Sequence, residues 1–308
     1  MLDNMEIYVQ ADSLFYEDPR HWDKGPKFLD PQRFSVTERE CPSGWSRTDH
    51  GLWTYVFPEG TELPEQGWKI HVSATLDNGD TLCSAVWDYC TTRGVPFKYL
   101  LDRKIQYLCN SKYAPRGSSG KLITIYPRDE AELESILTGL SEQVEGHEGP
   151  YILSDLRWGE GPLYVRYGAF ADLQCVDADG RPVPAIRRPD GVLVPDKRRP
   201  GFTPPPWAKL PKFLEPHLRA RGGDGGDQPY RVEKALHFSN SGGVYLATRL
   251  SDGEEVVLKE ARPHAGVDGN GDDAIARQLR EEEALRRLGG IRGIPRLHDS
   301  FTLSGHRF

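Results

Sequence analysis

Cysteine is scarce in this chain, five among 308 residues (Cys41, Cys83, Cys90, Cys109 and Cys175), and none forms a C-x-x-C pair. That spacing provides neither a zinc-finger ligand set nor a thioredoxin-type motif. An odd, widely spaced set fits the reduced thiols of a cytosolic protein. No apolar run approaches the roughly 20 residues that span a bilayer. Residues 1–10 lack the basic flank and apolar core of a signal peptide. A cytoplasmic location without a membrane partner is the expectation. Positive charge is also in deficit: the formal net charge is −7, which argues against a nucleic-acid partner but leaves room for a local basic pocket. The nine histidines show no H-E-x-x-H or similar spacing, so no metal site is expected.

Length and composition suit a folded protein of two domains. Residues 1–65 scatter aromatics (Tyr8, Phe15, Tyr16, Trp22, Phe28, Trp45, Trp53) among polar residues and prolines, an ordered but irregular segment with a strand at 52–57. The run Trp68-Lys69-Ile70-His71-Val72-Ser73-Ala74 reads as a buried strand. Strand side chains alternate, so Lys69 and His71 share one face and Ile70 and Val72 the other. A lysine beside a histidine on one wall suits removal of a proton from carbon with protonation of a nearby leaving group. A half-buried strand with a solvated polar face has the same alternation. Helical spacing follows over 80–93 until Gly94, then a strand at 97–100 and a helix at 102–109. Residues 122–126 form a strand, 129–144 an amphipathic helix with Leu133, Ile136, Leu137 and Leu140 on one face, and 151–153, 163–167 and 183–186 further strands. The pattern predicts an α+β fold, helices on a mostly antiparallel sheet, with a first domain over 1–210. Gly117-Ser118-Ser119-Gly120-Lys121 is too short between its glycines for a P-loop and lacks the following hydroxyl. It reads as a mobile loop in which Lys121 helps to hold substrate.

Residues 189–211 are rich in proline and basic residues, and 211–228 read as a flexible linker. A second unit, 229–308, runs strand, glycine turn, strand, strand, long helix. Gly242 and Gly243 lie in the turn, Lys259 ends the third strand, and Glu281, with Glu282 as second choice, lies on the helix. Backbone amides at such a turn approach phosphate oxygens, and a lysine oriented by a helix glutamate holds them. This unit resembles the N-terminal lobe of a protein kinase, with Val-Leu-Lys at the strand lysine and serines at two expected glycine positions. His-Arg-Asp and Asp-Phe-Gly equivalents are absent. The expectation is an incomplete lobe, cut from a longer protein, that transfers no phosphate by itself.

Lys69-x-His71, Lys98, and the stretches Ala235–Ala247 and Val256–Gly266 together resemble the class III lanthipeptide synthetases. The resemblance implies an effector-type phosphothreonine-lyase-like domain followed by a truncated kinase-like lobe. It also implies that phosphate is eliminated from phosphoserine and phosphothreonine of a ribosomally made precursor peptide carrying a leader. The implied product is dehydroalanine or dehydrobutyrine. Lys69 is then the candidate base and His71 the candidate acid, Lys98 matches a second active-site lysine, and Tyr126 closes the set at the end of a core strand. Arg116, ten residues before Tyr126, matches the phosphate-site spacing of the effector lyases. With Lys98, Arg157 and Arg166 it is a candidate for the cationic cradle of the phosphate, a solvated surface charge being the other reading of each, while Lys121 is a candidate for holding peptide. The lyase needs no cofactor, whereas a complete kinase domain uses ATP, or another nucleoside triphosphate, and magnesium. Two other readings stand beside this one: a phosphopeptide or leader recognition module without turnover, and a class IV synthetase.

Overall fold

In the computed structural model, which describes residues 32–222 and 229–308, the chain clusters into two compact units. Of the aromatics noted above, those before residue 32 lie outside the described residues. The first unit holds Gln32–Gln106 and Gly120–Arg221. Its strands are β1 (Trp45–His50), β2 (Trp53–Pro58), β3 (Gln66–Val72), β4 (Phe97–Leu100), β5 (Ile123–Ile125), β6 (Leu156–Arg157) and β7 (Leu163–Ala169). They form one antiparallel sheet in the order β1-β2-β4-β5-β3-β7-β6. Helices α1 (Gly79–Arg93) and α3 (Glu130–Gln143) accompany it, while α2 (Arg103–Asn110) carries the chain out of this unit. The expected α+β architecture is what the chain adopts.

Each face of the sheet follows from alternation. Phe97, Ile125, Ile70 and Val165 lie opposite one another across β4, β5, β3 and β7, and all four are fully or almost fully buried. Helix α1 covers this face, with Trp87 edge-on to Phe97 at 6.0 Å. Helix α3 contributes Leu133, Ile136, Leu137 and Leu140, the four residues its periodicity predicts, all buried. Its start is fixed by the Asp129 carboxylate, which accepts the Glu132 backbone N–H at 2.8 Å. Gly94, in the left-handed region at φ 71°, stops α1 where the sequence reading ends it.

Three shorter strands, β8 (Gln174–Val176), β9 (Pro182–Arg187) and β10 (Leu193–Pro195), make a second antiparallel sheet in this unit. Residues 151–153, expected as a strand, are instead irregular with a turn beginning at Leu153, and pairing begins only at β6. Packing holds them there: Ile152 is fully buried, and the Tyr151 ring meets Tyr164 edge-on at 5.3 Å. The linker expected over 211–228 is also corrected in its first half. A short 3-10 turn (Lys212–Leu214) leads into α4 (Glu215–Gly222). Leu214 is fully buried, and Phe213 and His217 pack on Trp158. Residues 223–228 lie outside the described residues.

The second unit contains Tyr107–Ser119 and the chain from Gly222 to Phe308. Strands β11 (Tyr230–Ser239), β12 (Gly242–Arg249) and β13 (Glu255–Lys259) form an antiparallel meander, followed by α5 (Ala274–Arg287) and a hairpin of β14 (Thr302–Leu303) and β15 (His306–Arg307). Residues 107–119, expected within the first domain, cluster here because Asn240 donates to the carbonyls of Asn110 and Ser111 at 3.0 and 2.9 Å, and Val267 N–H to Asn110.

Candidate active site

The sheet face opposite the helices is polar. One row runs across six strands, Tyr55, Lys98, Thr124, His71, Tyr164 and Arg157, each directly opposite the next. Residues directly opposite in an antiparallel sheet project to the same side. In the neighbouring row Lys69 stands opposite Arg166. Lys69 and His71 are therefore side by side on one wall, as alternation requires. The wall is not solvated, for Lys69 is 7% exposed and His71 5%. That settles the question the strand pattern leaves open.

Burial drives the Lys69 amine well below its ordinary value, and the cations of Arg166, Lys98 and Arg198 add to the shift against the opposing pull of Asp196. Its Nζ donates to the Ala169 carbonyl at 2.5 Å and lies 5.8 and 5.5 Å from the Tyr126 and Phe170 ring centroids. Lys98 is lowered by burial, then by Arg198, to about 8. Its ammonium rests over Trp53 and Tyr55, at 4.5 and 5.1 Å, contacts that favour the cation. Tyr126 is buried between these lysines and the rings of Phe57 and Phe170, and burial raises its phenol, which stays neutral.

His71 has a partner that spacing could not reveal. Its Nδ1 lies 2.5 Å from Oδ2 of Asp155, a fully buried carboxylate. Burial pushes Asp155 up, but Lys121 and His71 outweigh it and hold the carboxyl well below the usual range. Ser154 Oγ donates to Asp155 at 2.6 Å, and Lys121 Nζ donates to Ser154 at 3.2 Å and lies 3.5 Å from Asp155. Lys121 is thus no mobile-loop residue; it is 8% exposed, and burial lowers its amine to about 8. Burial also lowers His71, to about 3, against Asp155.

The expected arginines divide. Arg166 belongs to the wall, but its fork is taken by Asp196 in a buried bidentate pair. Arg157 shares the His71 row, yet its Nε donates to the Gly161 carbonyl at 2.9 Å and Nη2 to Glu160, so the guanidinium is spent on its own loop. Arg116 lies in the second unit with its guanidinium 4.5 Å from the Phe238 ring centroid. The phosphate role expected from its spacing to Tyr126 finds no support in these contacts. Sequence reading missed Arg198, whose side chain is 47% exposed and 3.9 Å from Asp196. It acts electrostatically on Lys69, Lys98 and Lys121 together. Five basic side chains, Lys69, Lys98, Lys121, Arg166 and Arg198, surround two carboxylates, an excess of positive potential suited to a dianion.

In the second unit Lys259 Nζ bonds both carboxylate oxygens of Glu281 at 2.5 Å. Glu282 instead holds Arg286, Arg307 and Ser300, so Glu281 is the helix partner. Gly242 and Gly243, expected in the turn, instead open β12, the turn falling at residues 240–241. Gly242 has φ 153°, and a Cβ there would lie 2.0 Å from the Glu260 carbonyl, which explains glycine at that position. Gly243 N–H donates to Glu260 Oε2 at 2.9 Å.

An α+β domain with a buried cationic wall on its central strands is the class that fold and site define. The chain belongs to the family described as RamC, N-terminal domain, whose model matches residues 33–224. It is 48% identical over 303 residues to the probable SapB synthase of Streptomyces coelicolor, covering 98% of this chain and 32% of that protein. The chain therefore spans about a third of that relative's length. The family resemblance drawn from the sequence is borne out. Among solved structures it is similar to the type III effector and phosphothreonine lyase OspF from Shigella flexneri, at 15% identity and a TM-score of 0.33, over 55% of this chain and 88% of that one. A second phosphothreonine lyase structure matches at 18% identity and a TM-score of 0.29, over 42% and 67%. At these scores the likeness is loose, and no residue correspondence follows from it.

Proposed function

We propose that the first unit is a carbon–oxygen lyase that eliminates phosphate from phosphoserine and phosphothreonine of a ribosomally made precursor peptide. The observation that carries this reading is the pairing, on one dry wall, of an amine driven toward neutrality with an imidazole backed by a carboxylate. Neutral Lys69 takes the Cα proton. The electron pair of that C–H bond becomes the Cα=Cβ bond, the Cβ–O bond breaks, and the departing oxygen takes the proton of His71. The products are dehydroalanine or dehydrobutyrine and inorganic phosphate. Lys98, Lys121 and Arg198 supply the positive field for the phosphate and for the enolate-like charge at the neighbouring carbonyl. Asp155 holds the His71 ring and favours its charged form as the phosphate docks. No cofactor enters these steps.

The second unit we assign to a kinase-like lobe that would supply the phosphorylated substrate once its catalytic lobe is present. The Lys259–Glu281 pair supports this reading, and bound ATP with magnesium would furnish the phosphoryl group. Support for a lanthipeptide synthetase of class III comes from the motif resemblance together with the synthase relative.

Incubating the purified chain with a phosphoserine peptide tests the lyase directly. The expected product has lost the mass of phosphoric acid and adds thiols at the former serine. Tight phosphopeptide binding with no mass change on long incubation would replace catalysis by recognition. Asp155→Asn is expected to keep the fold and cost about a hundredfold in kcat, because a neutral amide cannot stabilise the imidazolium. A loss confined to KM would make Asp155 part of substrate binding instead.

A further inference from the structure

Beside the cationic wall lies a groove of about 520 Å³. Arg166 and Ser154 line it, and the same two side chains belong to the wall, Arg166 opposite Lys69 and Ser154 on Asp155, so the groove borders the anion site through them. Its apolar wall includes Ile186, Val194, Phe202 and Trp207, and exposed Lys197 and Arg199 stand along it. These come largely from the proline-rich basic stretch to which sequence reading gave no function. The stretch is anchored. Phe202 packs on buried Trp68 with ring centroids 6.2 Å apart, and Gly201 N–H donates to the Leu153 carbonyl at 2.8 Å. Three consecutive prolines, Pro204 to Pro206, restrict its backbone. A pre-shaped wall of this kind loses little conformational freedom when a peptide settles on it. Asp196, the carboxylate within the basic run, is committed to Arg166 and Arg198, which leaves a positive edge at Lys197 and Arg199.

We infer that this groove reads the residues flanking the phosphorylated serine or threonine. An apolar side chain lies against Phe202 and Trp207, and a carboxylate within two residues of the phosphate faces Lys197 and Arg199. The inference rests on the lyase reading above and extends it to substrate choice. The border with the anion site at Arg166 and Ser154 points to the peptide that carries the phosphate as the occupant. Charge complementarity fixes its acidic character.

The test uses the full chain and three substrates: a phosphoserine peptide with Glu and Leu beside the phosphoserine, the same peptide with Lys and Gly there, and a blocked phosphoserine without flanks. The first is expected to have a kcat/KM about tenfold above the second, mostly through KM, the size expected of two exposed charge contacts plus apolar burial. Lys197→Glu with Arg199→Glu should reverse that order. Trp207→Ala should raise KM about fivefold on the Glu–Leu peptide. Neither variant should change turnover of the blocked phosphoserine more than about twofold. Equal losses on all three substrates, or no flank preference in the parent chain, would overturn the groove. Fluorescence anisotropy of the two labelled phosphopeptides separates the two readings. Preferential binding of the Glu–Leu peptide without phosphate release keeps the groove and removes the lyase. Elimination without preference does the reverse.

Discussion

Replacing Lys69 with alanine is expected to reduce elimination by about 10³–10⁴-fold, the upper range of general-base contributions. Lys69→Arg should be equally inactive, since a guanidinium stays charged where a neutral amine is needed. Lys69→Met separates chemistry from folding. A buried amine forced toward neutrality sits in an unfavourable place, so an apolar chain of similar length should leave the melting temperature equal or higher while activity is lost. The pH profile assigns the base. Burial and three neighbouring cations hold Lys69 well below its ordinary value, so with Lys69 as base the rising limb of the rate should lie well below the ordinary lysine range and should persist in Lys98→Ala. Lys98, at about 8, would as base give a rate that climbs tenfold per pH unit up to about 8 and then levels. Lys98→Ala should be the milder change and, by removing one of those cations, should shift dependence on Lys69 to higher pH. A rising limb at 8 with an inactive Lys98→Ala would transfer the base role to Lys98.

The second large effect concerns the leaving group. His71→Ala should cost about 10²–10⁴-fold on a phosphoserine peptide, where the bridging oxygen needs a proton. On a serine O-sulfate peptide, whose leaving group is a far weaker base, the loss should stay within about tenfold. Equal losses would remove the acid role. The free imidazole is lowered to about 3, so at neutral pH the reactive complex forms from neutral His71 and a phosphate ester that brings its own second proton. That proton has a pKa of about 6. For the parent enzyme kcat/KM should therefore fall as pH rises above about 6.

Alternation around Lys69 and His71 was legible because the side-chain period on a strand is two and the flanking residues are apolar. The helix over α3 was equally plain from its four leucine and isoleucine positions. Asp155 was not legible. It lies 84 residues from His71, and a lone Ser-Asp in a turn has no periodicity that distinguishes a buried carboxylate from a solvated one. Arg198 was hidden for a similar reason, as one of several basic residues in a run that reads as surface. Arg116 misled because spacing along the chain says nothing of which unit a connecting segment joins. Arg166 was placed on the right strand and Arg157 on none, and the hydrogen-bond partners of both, Asp196 and a loop carbonyl, depend on tertiary folding. The linker was misjudged because Leu214 and Phe213, two apolar residues in a polar stretch, suffice to dock a short helix.

Strand β3 commits both of its sides, Ile70 and Val72 to hydrocarbon, Lys69 and His71 to ionic company. Sliding it by a single position would press an ammonium and an imidazole among leucines while exposing two aliphatic chains to carboxylates. The reactive pair thereby serves as a proofreader of assembly: a chain that misaligns this strand loses stability and chemistry together, so few stable molecules carry a defective wall.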